Sequence, residues 1–103
     1  MSAERDTHVI THAEIGRWFT GRVFEVDRDG NFAITIDDGD RLTLRFGQVF
    51  DDDGRLDHYG LNTHTWDVDG ILVDVVQTYH PVEDILNVVA DRIGAFEHRW
   101  DRP

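Results

Sequence analysis

Two neighbouring segments of alternating apolar and polar residues place the strongest constraint on the fold of this chain. The first runs from Phe32 to Asp37 and the second from Leu42 to Phe46. A period of two puts apolar side chains on one face of a β-strand and polar side chains on the other. Asp38-Gly39-Asp40 joins the segments, and an Asp-Gly pair favours the positive φ angles of hairpin turns. The sequence therefore predicts an antiparallel sheet with one buried face.

Further strands are predicted on both sides of this pair. A strand over Val23–Val26 and a turn over 27–31 complete a three-stranded meander. A second hairpin is predicted from Thr63–Val68 and Ile71–Thr78, joined by another Asp-Gly pair. The start of its second strand is nearly continuous and β-branched, which favours a central position in the sheet.

Between the meander and the second hairpin the alternation is lost. Residues 48–62 contain Asp51-Asp52-Asp53-Gly54 and are expected to form one long surface loop. Long loops in compact domains are often functional, so a binding site is expected here first.

Helices are predicted at both ends of the chain. Thr11 and Glu14 fit a capping box at the start of a short helix over about residues 12–20. A longer helix is expected to begin at Pro81, a favoured first helical residue, and to run to about residue 97. Gly94 either ends this helix early or lies within it.

The order of these elements predicts the fold class. A chain of 103 residues supports one domain. The predicted fold is α+β, with an antiparallel sheet of about five strands and both helices packed on one face. Residues 1–10 are expected to form a loosely ordered arm, and residues 98–103 a tail.

The charge of the chain limits its partners. Asp and Glu number 21 against 10 Lys and Arg, which gives a net charge of −11. Such a surface disfavours nucleic acid and anionic membranes, and it favours a basic protein or a cation. The chain has no Cys, and neither a signal-like segment nor a long apolar run is visible. A cytoplasmic protein without disulfides is therefore expected.

These observations predict a small acidic interaction module that binds a basic protein, for example as an inhibitor or regulator of a nucleic-acid-binding protein. Carboxylates at alternate positions of a strand lie about 6.6–6.8 Å apart on one side and can resemble a phosphate backbone. Solubility and turn formation are the competing explanation of the same acids. The candidate partner-binding residues are Glu25, Asp27, Asp29, Asp51, Asp52, Asp53, Asp67 and Asp69.

A small enzyme or ligand-binding domain is the alternative. His58, His64 and His80 could gather in one pocket, where a carboxylate such as Asp57 or Asp74 would orient a neutral imidazole as a base. No established catalytic motif is present, so the chain is expected not to be an enzyme. Asp74 also needs a partner if its strand is buried on both faces.

A cation site is the third hypothesis. Asp51, Asp53 and Asp57 could surround a hard cation such as Ca²⁺, the only cofactor that the sequence suggests. The Asp-Gly turns match the first half of an EF-hand loop, but Ile36 and Val76 occupy the position of the bidentate glutamate. Hairpin turns explain these segments better. A homo-oligomer is also compatible with the sequence.

Overall fold

Five antiparallel strands form one sheet, and their order in the sheet is their order in the chain. One helix precedes this meander in the sequence, and a second helix follows it. The computed structural model describes residues 10–20, 24–28 and 30–99. The elements are α1 (His12–Trp18), β1 (Phe24–Val26), β2 (Phe32–Asp38), β3 (Asp40–Phe50), β4 (Leu56–Trp66), β5 (Leu72–Pro81) and α2 (Ile85–Glu97). The predicted α+β class is confirmed. Residues 1–9 of the expected arm and residues 100–103 of the expected tail lie outside the described residues, whereas Ile10 is buried in the core.

One face of the sheet carries the hydrophobic core, and both helices cover that face. The alternation on β2 and β3 buries one set of side chains, and β4 adds Tyr59 and Leu61 to the same cluster. Burial of a side chain of this size contributes about 1.5–3 kcal/mol, so this face dominates the stability of the fold. The helices contribute Ile15 and Phe19 from α1, and Ile85, Leu86, Val89, Ile93 and Phe96 from α2.

The start of α1 follows the sequence prediction. Thr11 Oγ1 accepts the Glu14 N–H at 3.2 Å, and Glu14 Oε1 accepts the Thr11 N–H at 3.2 Å. This reciprocal pair forms the expected capping box. Ile10 and Ile15 on either side of it are both buried, so the chain enters the helix from the core.

The start of α2 differs from the prediction. Pro81 is the last residue of β5, and the helix begins four residues later at Ile85. A proline lacks the N–H of a sheet ladder and is tolerated at the end of an edge strand. Gly94 lies inside the helix.

The long loop predicted over residues 48–62 does not exist. Strands β3 and β4 each have 11 residues, and only Asp51–Arg55 separates them. The prediction failed because Gly47 and Gly60 lie opposite each other within the two strands. At Gly47 a side chain would collide with that of Asn31, so close approach of the neighbouring turn explains this glycine.

The position predicted for β5 is also wrong. The strand lies at one edge of the sheet, where it pairs with β4. Val73 and Val75 keep 58% and 52% of their surface exposed, and Tyr79 keeps 60%. A run that is apolar on both faces normally indicates cover on both faces. Here the apolar residues lie uncovered.

Candidate interaction surfaces

Three acidic turns share the sequence Asp-x-Asp-Gly, over residues 27–30, 51–54 and 67–70. In each turn, Oδ1 of the first aspartate accepts a hydrogen bond from the backbone N–H of the residue four positions later, at 3.0 Å. The described glycines at the fourth position all have positive φ, between 77° and 84°. The first aspartate is therefore a structural residue of each turn. The spacing of this motif is a signal that the sequence analysis missed.

The candidate partner-binding acids lie mainly in these turns. Of their described members, Glu25 alone belongs to a strand, and Asp29 lies outside the described residues. Successive turns of a meander alternate between the two ends of the sheet, so the first two acidic turns lie at one end and 67–70 lies at the other. The carboxylates are thus divided between two ends and do not form one strand-spaced row.

Register separates the three candidate histidines. Along β4, His58 and His64 alternate with the buried Tyr59, so they project from the face that no helix covers. They are six residues apart, which is about 20 Å along a strand. His80 is paired with Tyr59 and projects from the opposite, covered side. The described residues therefore do not form the expected common pocket.

Each histidine has its own local partner. His58 Nδ1 lies 2.7 Å from Asp57 Oδ2, and the His58 ring meets the Tyr79 ring edge-on at 5.5 Å. His64 stacks on Trp66 with ring centroids 6.2 Å apart. These contacts are local and do not bring a second histidine to either ring.

The uncovered face of the sheet, on which β4 contributes His58, Gly60, Asn62, His64 and Trp66, carries a shallow groove. In this groove the Asn31 side chain lies over Gly47, and the Tyr79 ring lies against Gly60. The groove has a volume of about 420 Å³, and Arg45, Asn62 and Gln77 also line it. Tyr79 accepts a hydrogen bond from Gln77 Nε2 at 2.8 Å. The surface is therefore mixed aromatic and polar, a composition typical of protein contacts.

A second polar cluster lies on the covered side, between α2 and β5. Arg92 donates to Thr63 Oγ1 at 2.8 Å and to Thr78 Oγ1 at 3.4 Å, and Thr78 Oγ1 lies 2.7 Å from His80 Nε2. Burial, followed by the nearby Arg92 charge, lowers the pKa of His80. When His80 is neutral with its proton on Nδ1, its Nε2 accepts a hydrogen bond from the Thr78 hydroxyl, and Thr78 Oγ1 accepts one from Arg92.

Asp74 is exposed on β5, opposite Thr65. Because the strand lies at the edge and this carboxylate is in contact with solvent, its burial imposes no requirement for a partner. The sequence predicts a partner for Asp74 only if its strand is buried on both faces, and β5 is not buried in this way.

The residues of the cation hypothesis do not form a cluster. Asp51 Oδ1 accepts the backbone N–H groups of Asp53 and Arg55, and Asp57 contacts His58. Over residues 10–20, 24–28 and 30–99, no three His, Asp or Glu side chains are arranged to hold a metal ion. Within the same residues, no helix is long and apolar enough to cross a membrane.

Comparison of the chain with protein-family models, with curated proteins and with solved structures finds no significant match. Its function is therefore inferred from its own residues.

Proposed function

We propose that the protein is an acidic interaction module that binds a basic protein partner through the uncovered face of its sheet. The observation that carries this proposal is an uncovered face with exposed aromatic and apolar side chains, bordered at both ends by acidic turns. Tyr79, Val75 and Leu72 supply the apolar part of this face at its β5 side. An exposed apolar patch with a polar rim is typical of a protein-binding surface.

The acidic turns give the surface its selectivity for a basic partner. Asp27, Asp51 and Asp67 are engaged by backbone N–H groups, whereas Asp52, Asp53 and Asp69 are exposed and extend into solvent. Exposed carboxylates at both ends of the uncovered face would steer a basic protein onto it and raise the association rate. Proteins that bind nucleic acids form one class of partner with the required charge.

Capture from native lysate at low salt tests this proposal. The immobilised full chain is expected to retain a basic protein that added NaCl releases, because contacts between exposed charges are screened. The variant Asp52→Asn/Asp53→Asn/Asp69→Asn keeps the structural aspartate of each turn and removes three exposed charges. At about 0.2–1 kcal/mol per charge, the loss of all three should weaken binding by roughly 3-fold to 150-fold.

Two control variants make this test specific. Glu83→Gln/Asp84→Asn/Asp91→Asn removes the same number of charges from the helical side and should weaken binding much less. Tyr79→Ala should abolish capture, whereas Phe50→Ala, which removes an exposed aromatic residue opposite the buried Leu56, should not. Failure to retain any basic protein, or equal losses in the turn and helix variants, would refute the proposal.

A further inference from the structure

The β5 edge, Leu72–Pro81, lacks most of the devices that keep strand edges from pairing. Natural edges are usually short, charged, interrupted by proline or covered. The opposite edge strand β1 has three residues in the described chain, whereas β5 has ten. Asp74 is the only charged residue within β5, and proline occurs only at its last position. Among the described strands only β4 pairs with β5, so the backbone groups on the other side of β5 can form hydrogen bonds with another strand.

Arg92 is held by hydroxyl groups, although the chain is rich in acids. Within the part of the chain that the structure describes, no carboxylate oxygen lies within 4.0 Å of its guanidinium, which contacts the hydroxyls of Thr63 and Thr78. Arg41 and Arg99, in contrast, form ion pairs with Asp37 and with Asp38 and Asp40. A guanidinium has five N–H donors, so Arg92 can also bind a carboxylate beside β5.

The nearest acid of the same strand cannot supply that carboxylate. Asp74 lies four residues before Thr78, which is about 13 Å along an extended strand. In a second copy of β5 that runs antiparallel to the first, Asp74 and Thr78 follow each other in the opposite direction. If the two-fold axis passes through Val76, then Asp74 of one copy lies directly opposite Thr78 of the other. Directly opposed residues share a face and have Cβ atoms about 4.5–5.5 Å apart, which brings the carboxylate beside the Arg92 guanidinium.

We propose that the protein forms a homodimer in which β5 pairs antiparallel with β5 of a second copy, and Asp74 of each copy binds Arg92 of the other. The two strands then form a continuous sheet of ten strands. Val76 meets its own counterpart at the axis, and Val75 lies opposite Gln77 on the uncovered face. This pairing covers the exposed apolar edge and neutralises the one charge within β5.

The charge distribution favours this location for self-association. Two bodies with a net charge of −11 repel each other, so they can associate only where acids are few. The β5 edge is such a place. A strand-to-strand contact of this length lies near the lower limit of specific interfaces, about 1,200 Å² in total, so we expect a dissociation constant in the micromolar range.

Sedimentation velocity and light scattering on the full chain, from about 1 to 300 μM, test the proposal. The mass should rise from 11.9 kDa towards twice that value. Asp74→Arg and Arg92→Asp, each alone, place like charges together and should weaken dimerisation at least tenfold. Asp69→Arg changes the net charge as Asp74→Arg does, but outside β5, and should leave the dimer intact.

Mixing the two single variants distinguishes loss of contact from loss of folding. A heterodimer of Asp74→Arg and Arg92→Asp restores one opposite-charge pair at each end, so the mixture should dimerise about as tightly as the wild type, and at least tenfold more tightly than either variant alone. The double variant in one chain should also dimerise. The proposal would be overturned by a wild-type chain that remains monomeric at 300 μM, by an Asp74→Arg variant that dimerises as tightly as the wild type, or by a mixture that dimerises no more tightly than either variant alone.

Discussion

Replacing Asp51 tests whether the first aspartate of an acidic turn stabilises the fold despite the negative charge of the chain. Its Oδ1 accepts the N–H groups of Asp53 at 2.9 Å and Arg55 at 3.0 Å. Loss of a comparable side-chain cap of backbone N–H groups costs about 0.5–2 kcal/mol, so two bonds at a half-buried carboxylate should contribute about 1–2 kcal/mol. The substitution also removes one negative charge from a chain whose net charge is −11, and this reduces repulsion and stabilises the fold. Contacts between exposed charges contribute about 0.2–1 kcal/mol, so we expect this gain to be a few tenths of a kcal/mol.

Equilibrium urea unfolding at pH 7, followed by tryptophan fluorescence, measures the difference. Asp51→Ala should lower the midpoint by roughly 1 M, since m is about 1–3 kcal/mol/M for small proteins. Asp53→Ala is the matched control, because this exposed residue contributes its backbone N–H to the turn and keeps it on substitution. Its free energy of unfolding should change by less than about 0.5 kcal/mol. Equal midpoints for the two variants would show that the hydrogen bonds of Asp51 do not stabilise the turn.

Three further predictions concern buried contacts. Tyr59→Phe removes the hydroxyl that accepts the Ile10 N–H at 3.3 Å and should cost about 1–2 kcal/mol in urea unfolding. Because burial raises the pKa of Tyr59, wild-type stability should fall above about pH 10, and Tyr59→Phe should lack this loss; a parallel pH dependence of the two proteins would contradict it. The pKa of His80 is lowered in the folded protein, so folding opposes protonation of this residue. The contribution of neutral His80 to the free energy of unfolding is therefore complete above about pH 6.5 and is lost as the pH falls through the folded pKa. His80→Gln should reduce that acid slope in thermal unfolding, and an unchanged slope would refute the assignment. Gly47→Ala should destabilise the fold by about 1–3 kcal/mol because Asn31 must move, but should cost little in an Asn31→Ala background.

The alternation on β2 and β3 and the capping box of α1 could be predicted because their signals are local. The position of β5 could not. Its sequence shows that both faces are apolar, but not whether anything in the same chain covers them. Hydrophobicity alone therefore predicts a central position for β5, but the structure places this strand at an edge of the sheet, with its apolar residues exposed.

The candidate site depended on information that a single sequence does not contain. Whether His58, His64 and His80 share a face is decided by the register between β4 and β5, and a shift of one residue would reverse the result. Likewise, the role of Arg92 follows from its position over Thr63 and Thr78, which are brought together by strand pairing. The acids were identified as a group, but hydrogen bonding separates those that form turns from those that extend into solvent.

The order of the strands also bears on how the chain reaches its fold. Every strand forms its ladder with the strand that immediately precedes or follows it, so the sheet can grow by addition of successive hairpins with short loops to close. Topologies with such local pairing fold faster than those whose strands cross over. The hydrogen bonds from Ile10 to Tyr59 and from Arg99 to Asp38 join residues 49 and 61 positions apart, so they close much longer loops than the hairpins do. We therefore expect the meander to form first and the segments that contain Ile10 and Arg99 to pack against it last.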